Sequence, residues 1–155
     1  MKKSRILNKY LNEAIADMGH GDIIIISDAG FPIDDDRKRI DLALEADKPG
    51  IIEILDLVMS DFIYERCIVA EEQQKYNPEH YKRVVSMCSR CNVETIPHEQ
   101  LIKTYPSAAK YIVRTGGFEP WGNVILYSGV DAPVWFKKPG AIAPDYYEKR
   151  VSYHE

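Results

Sequence analysis

No run of apolar residues in this chain reaches the ~20 that a membrane-crossing helix needs. The start, Met1-Lys2-Lys3-Ser4-Arg5, is basic, but the Ile6-Leu7 that follows is cut at once by Asn8-Lys9, which breaks the apolar stretch of a secretory leader. A cytoplasmic location is the expectation. Cysteine is scarce, and its odd count of three does not suit a secreted disulfide framework. Positive charge is not in excess either. The net charge is -4 and the pI about 5.6, with Lys137-Lys138 no more than a basic dipeptide, so a nucleic-acid footprint is excluded. Also missing are G-x-G-x-x-G, a Walker-type loop, G-x-S-x-G and H-E-x-x-H. Dinucleotide binding, nucleotide-triphosphate chemistry, serine hydrolysis and zinc proteolysis therefore lose their usual signatures.

What remains is a chain of 155 residues with 45% apolar content, the size of one ordinary domain. Such a chain buries roughly 70% of its unfolded surface and needs neither disulfide nor metal to hold a core. Leu7, Leu11, Ala14, Ile15 and Met18 recur at helical spacing, so a helix is expected near 7–18, ended by Gly19 and Gly21. Ile23-Ile24-Ile25-Ile26 is an uninterrupted β-branched run, the pattern of a strand covered on both faces. Covering both faces takes helices above and below, which predicts an α/β layered domain. Further strands are expected at 40–44, 62–69, 93–96, 109–114 and 123–127, with helices at 78–90 and 98–105. The first of these helices should open with Asn77 as cap and Pro78 at its first position. Residues 51–58 fit either a helix or a strand. Beyond Asp131 the character changes: Pro133, Pro139 and Pro144 alternate with Trp135, Phe136, Tyr146, Tyr147 and Tyr153. So much aromatic surface predicts packing on the domain or on a neighbouring subunit. The chain thus divides into a domain over 1–130 and an extension over 131–155.

Polar residues in loops beside apolar strands are the candidates for chemistry. His20 stands between two glycines, Asp28 leaves the end of the isoleucine strand, His98 follows Pro97, and Asn123 follows Trp121-Gly122. Each also has a plain structural explanation: a surface histidine, a turn former, a helix start, a strand-edge cap. Cys88-Ser89-Arg90-Cys91 has the spacing of a redox dithiol or of half a zinc site, but no second pair completes it. It also closes a predicted helix, where a thiolate gains nothing from the helix dipole. Reduced, packed thiols are the simpler reading.

Read together, Met18-Gly-His-Gly-Asp22, Ser27-Asp28-Ala-Gly-Phe-Pro32, Arg39-Ile-Asp-Leu-Ala-Leu44, Ala70-Glu-Glu72, His98-Glu-Gln100, Arg114-Thr-Gly116 and Trp121-Gly-Asn-Val-Ile-Leu126 follow one order. In that order they closely resemble the D-ribose pyranase and L-fucose mutarotase family, RbsD/FucU, from the N-terminus to about Val130. The resemblance implies a three-layer α/β/α sandwich with a mixed, largely parallel sheet. It also implies a ring-shaped homo-oligomer, a decamer in the ribose branch, and cofactor-free isomerisation of a free monosaccharide. By the same resemblance His20 matches the proton donor, while Asp28, His98 and Asn123 match sugar-binding positions, with Trp121 and Gly122 beside them. No metal is implied. The blocks after Asp28, at 39–44 and at 98–100 look like the ribose branch, whereas His20-Gly21-Asp22 and Gly122-Asn123 look more like the fucose branch. Trp121 departs from the family's usual tyrosine, offering a stacking face and one donor but no acceptor. The extension is longer than the family usually carries and could cover the site or extend the assembly.

Interconverting ring forms passes through the open-chain aldehyde, with one proton reaching the ring oxygen as another leaves the anomeric hydroxyl. An imidazole, whose free pKa is about 6.5, can do either near neutrality. Such assistance is worth ~10²–10⁴-fold. His20 and Asp28 flank one strand, however, and eight residues at ~3.3 Å each separate them by up to roughly 26 Å. A pocket completed by a second subunit in a head-to-tail ring reconciles the two. A fucose-type mutarotase, or a sugar-binding protein without turnover, are the alternative readings.

Overall fold

The computed structural model describes residues 2–152, so Tyr153 of the aromatic tail lies outside the described residues. Its centre is a six-stranded sheet in the order β2-β5-β1-β6-β3-β4. The strands are β1 (Ile23–Ser27), β2 (Arg39–Asp41), β3 (Tyr64–Ala70), β4 (Val93–Ile96), β5 (Tyr111–Arg114) and β6 (Val124–Ser128). β5 runs parallel to β1 and β2, and β4 parallel to β3. β6 is antiparallel to both its neighbours, β1 and β3. The sheet is therefore mixed.

The isoleucine run explains the layering. All five β1 residues are buried. Ile24 and Ile26 enter one core with Leu11 and Ala14 of α1 (Lys9–Asp17), Ile54, Leu55 and Val58 of α2 (Ile51–Met59), and Val84 of α4 (Pro78–Met87). Ile23 and Ile25 point the other way, into a second core with Leu101 and Tyr105 of α5 (His98–Ala108). Alternate side chains of a strand face opposite sides, so an unbroken apolar strand requires helices on both. That is the three-layer α/β/α sandwich.

Several details settle what the sequence reading left open or differ from it. Residues 51–58 form a helix, because Ile51, Ile54, Leu55 and Val58 recur at helical spacing on one buried face. β2 stops at Asp41, whose carboxylate turns back to bond the Ala43 amide. A short helix, α3 (Glu71–Tyr76), joins β3 to α4 with only Gln73 buried, too little apolar pattern to reveal it. Pro78 does open α4, but Asn77 makes no side-chain cap. Its carboxamide instead reaches the loop before β6.

Register decides where the site lies. Ser27 pairs with Arg114, Ile26 with Val124, and Val69 with Val124. The C-terminal ends of β1, β5 and β3 therefore meet the N-terminal end of β6 at one rim of the sheet. His98 joins them there, two residues past β4. Ligands of open α/β sheets bind at such a rim. His20 and Glu65 sit at the opposite rim, beside Ser128.

In the extension, α6 (Ala132–Trp135) buries Ala132, and α7 (Glu148–Val151) follows a 3-10 turn over Asp145–Tyr147. Ile142 and Tyr146 stay largely exposed.

Candidate active site

At the rim where β1, β5 and β6 converge, Asp28, His98 and Trp121 line a cavity of about 600 Å³ together with Arg114, Phe118 and Glu119. That is within the ~300–1,000 Å³ usual for small-molecule sites. The loop after β1 presents Asp28. Its amide donates to Asn123 Oδ1 at 2.9 Å, and Asn123 Nδ2 donates to Asp28 Oδ2 at 2.8 Å. The Gly30 amide donates to the other oxygen, Oδ1, at 2.8 Å. A carboxylate so held cannot rotate, and each oxygen keeps acceptor capacity for a ligand hydroxyl. Asn123 is buried, so its part is to fix Asp28 from behind.

His98 opens α5, where its amide donates to Glu72 Oε2 at 2.8 Å. Arg114 braces the wall: its Nε donates to the Ala29 carbonyl, and its Nη1 bonds both Asp41 oxygens. Thr115 ties the ends of the loops, donating to the Ser27 carbonyl and accepting from the Gly117 amide.

Trp121 sits at φ 54°, a left-handed conformation rare outside glycine. Its ring leans on Tyr76 at 5.4 Å between centroids. Three side chains hold the loop in this shape. Asn77 Nδ2 donates to the Pro120 carbonyl, Gln73 Nε2 to the Trp121 carbonyl, and His80 Nε2 to the Gly122 carbonyl at 3.1 Å. Gly122 is required by crowding, since a Cβ there would stand 2.6 Å from the Glu119 Cβ and 2.7 Å from Ile51 Cδ1. His80 is only 3% exposed, and burial lowers its pKa, partly opposed by the Gly122 bond and by Glu119. The ring is therefore neutral with its proton on Nε2. As partners of this loop, Gln73, Asn77 and His80 escape the sequence reading: they lie on two helices and the turn between them, 42 to 48 residues from the carbonyls they bond.

The structure brings Asp28, His98, Trp121 and Asn123 together at one rim. Gly122 faces the His80 ring instead of the cavity. His20 stands apart, at the far end of β1, half-exposed and paired through Nε2 with Glu65 Oε1 at 2.9 Å.

Among the described residues no cluster of histidine, cysteine or carboxylate side chains is arranged to hold a metal ion. The three cysteines are free. The Cys67 thiol is pushed well up by its hydrogen bond with Cys88 and by burial, and burial beside Cys88 pushes Cys91 up to about 12. A thiol held protonated in this way is a poor nucleophile, so Cys91 is ill suited to the dithiol reading.

Residues 1–131 match the model of the RbsD / FucU transport protein family. The chain belongs to the RbsD / FucU family. Among its relatives, D-ribose pyranase 2 of Rubrobacter xylanophilus is 43% identical over 151 residues, 97% of this chain and 98% of that protein. The Bacillus subtilis RbsD solved in complex with D-ribose superimposes with a TM-score of 0.79 at 36% identity, covering 84% of this chain and 98% of that one. The Streptococcus pneumoniae fucose mutarotase, solved with L-fucose, shares the fold at a TM-score of 0.62 and 19% identity, over 84% of this chain and 99% of that one. No described helix is long and apolar enough to cross a membrane.

Proposed function

We propose that this protein is an isomerase that interconverts the ring forms of a free aldose, with D-ribose passing between pyranose and furanose as the leading substrate. The observation that carries the reading is the Asp28 carboxylate, locked by Asn123 and Gly30 at the mouth of a cavity walled by Trp121 and His98. This is a rigid acceptor beside an aromatic face, the pair of features that binds a polyhydroxylated ring. Close relatives carrying the name D-ribose pyranase support the choice of sugar.

In this reading the sugar's hydroxyls bond Asp28 and His98, and one of its apolar faces lies on the Trp121 indole. Ring opening breaks the bond between the anomeric carbon and the ring oxygen as a proton arrives at that oxygen. The anomeric hydroxyl loses its proton and becomes the aldehyde carbonyl, and closure through a different hydroxyl gives the other ring size. No electrons are exchanged and no cofactor is called for. His20 is the proposed proton donor. Because β1 holds it at the opposite rim from Asp28, His20 serves the cavity of the next copy in the assembly, and the preceding copy's His20 serves this one. A head-to-tail ring closes such a relationship for every subunit, and a decamer is the proposed size. A cytoplasmic location completes the proposal, in keeping with three free thiols.

Saturation-transfer NMR on equilibrated D-ribose tests the function. The proposal expects faster exchange between pyranose and furanose signals when the protein is added, and weaker acceleration of L-fucose anomers. Binding without exchange would make the protein a sugar sensor, and faster exchange with L-fucose would move it to the mutarotase branch.

A further inference from the structure

At the rim that carries His20, the partner of the imidazole is itself held. Glu65 Oε1 lies 2.9 Å from His20 Nε2, while its second oxygen, Oε2, accepts from Arg150 Nη1 at 2.7 Å. Glu65 is the less exposed of the three, at 20% for its side chain against 47% for His20 and 42% for Arg150. It is also wedged beside Gly129, where even a Cβ would come within 3.0 Å of the Glu65 Cβ. Arg150 belongs to the extension. It lies past residue 131, where the family match stops, and the extension has room in the alignment with the Rubrobacter relative, which spans 97% of this chain, but not in that with the Bacillus structure, which spans 84%. The guanidinium rests on the Tyr147 ring at 5.0 Å, and Tyr147 packs edge-on against Phe136 and Tyr146. The aromatic residues of the extension thus form a small platform that presents one guanidinium to one carboxylate.

The chemistry of this chain of contacts is specific. A carboxylate only accepts hydrogen bonds, so the Glu65 contact keeps a proton on Nε2 and leaves Nδ1 to take a proton from the anomeric hydroxyl or, in the protonated ring, to give one to the ring oxygen. Fixing a carboxylate behind a histidine sets both the ring's orientation and its tautomer, as outer partners do for other reactive imidazoles. Of the other charged groups nearby, Asp22 accepts from the Gly19 amide and from Lys110 Nζ, while Arg90 lines the small cavity that Glu65 and Arg150 share.

Building on the assignment of His20 as the proton donor, we propose that Arg150 is a positioning residue: by holding Glu65 it fixes the His20 ring, so that Nδ1 exchanges the proton with the sugar. The extension then buttresses the donor without covering it, since the imidazole stays half-exposed.

The test combines saturation-transfer rates on D-ribose with nitrogen NMR of ¹⁵N-histidine-labelled full-length protein, for the wild type and for His20→Ala, Glu65→Gln, Arg150→Ala and Arg150→Lys. Arg150→Ala should lower kcat about tenfold with KM changed less than about twofold, the scale of outer-partner losses elsewhere. It should also shift the His20 resonance from the Nε2–H tautomer toward a mixture, and Arg150→Lys should restore part of both. Glu65→Gln, which keeps the shape but can donate to Nε2, should produce the larger tautomer change. If Arg150→Ala keeps the wild-type kcat, or loses kcat with the tautomer unchanged, while His20→Ala is inactive, the positioning role is overturned and the proton donor stands. Full activity in His20→Ala overturns both.

Discussion

Asp28 and Asn123, 95 residues apart, hold each other through two hydrogen bonds, backbone amide to carboxamide oxygen and carboxamide nitrogen to carboxylate. The pairing exists because β1 and β6 lie antiparallel, with Ile26 opposite Val124, so the residue leaving one strand meets the residue entering the other. Replacing Asn123 by alanine frees the Asp28 carboxylate and leaves its amide without this partner. Asn123→Ala is expected to raise KM for ribose by about tenfold or more, in line with the ~1.5–3 kcal/mol carried by a hydrogen bond to a charged group. Isothermal titration together with exchange NMR checks it, and unchanged sugar affinity would remove Asn123 from the site.

Trp121 should act through its face. Trp121→Ala is expected to weaken sugar binding about tenfold, roughly 1.4 kcal/mol, whereas Trp121→Tyr, which keeps an aromatic face, should stay within a few-fold of the parent. Fluorescence or calorimetric titration reads both. An alanine variant that binds as well as the tyrosine variant would show that the indole does not touch the sugar.

The carbonyl clamp on the Trp121 loop has a pH signature. Burial lowers the pKa of His80 below its ordinary 6.5, so below that pH the unfolded chain takes up a proton that the folded one refuses. Stability therefore falls as pH drops through about 6.5 and is free of this penalty above it. His80→Gln should flatten the melting temperature between about pH 5 and 7, at the cost of some stability at pH 7.5. Thermal melts across that range decide it. A wild-type curve as flat as the variant's would mean that the ring is not held neutral.

Much of this architecture is legible in the residues. Four consecutive isoleucines need cover on both faces, and β1 has it. The spacing around Leu11 and Ala14 is helical, and α1 follows. Asp28 and His98 draw attention as polar residues in loops at strand ends, and the cavity contains both. The Trp121 clamp could not be read, because it depends on three carbonyls meeting side chains of α3, α4 and the turn between them, and backbone carbonyls have no sequence signature. Gln73 was hidden further by a helix whose other residues are exposed or half-buried and polar. His20 was legible as an exposed histidine, while its partner Glu65 was not, since only the pairing of β3 with β6 and the fold of the extension bring Glu65 and Arg150 to it.

Mixing subunits tests the account most directly, because it needs turnover, both assigned residues and the shared site at once. His20→Ala and Asp28→Ala proteins, each inactive alone, are combined in equal amounts, subunit exchange is verified by native mass spectrometry, and ribose ring exchange is measured by saturation-transfer NMR. If each site draws His20 from one subunit and Asp28 from the next, random assembly restores about one quarter of wild-type activity. Activity that stays at the level of the separate variants after complete exchange would contradict the account.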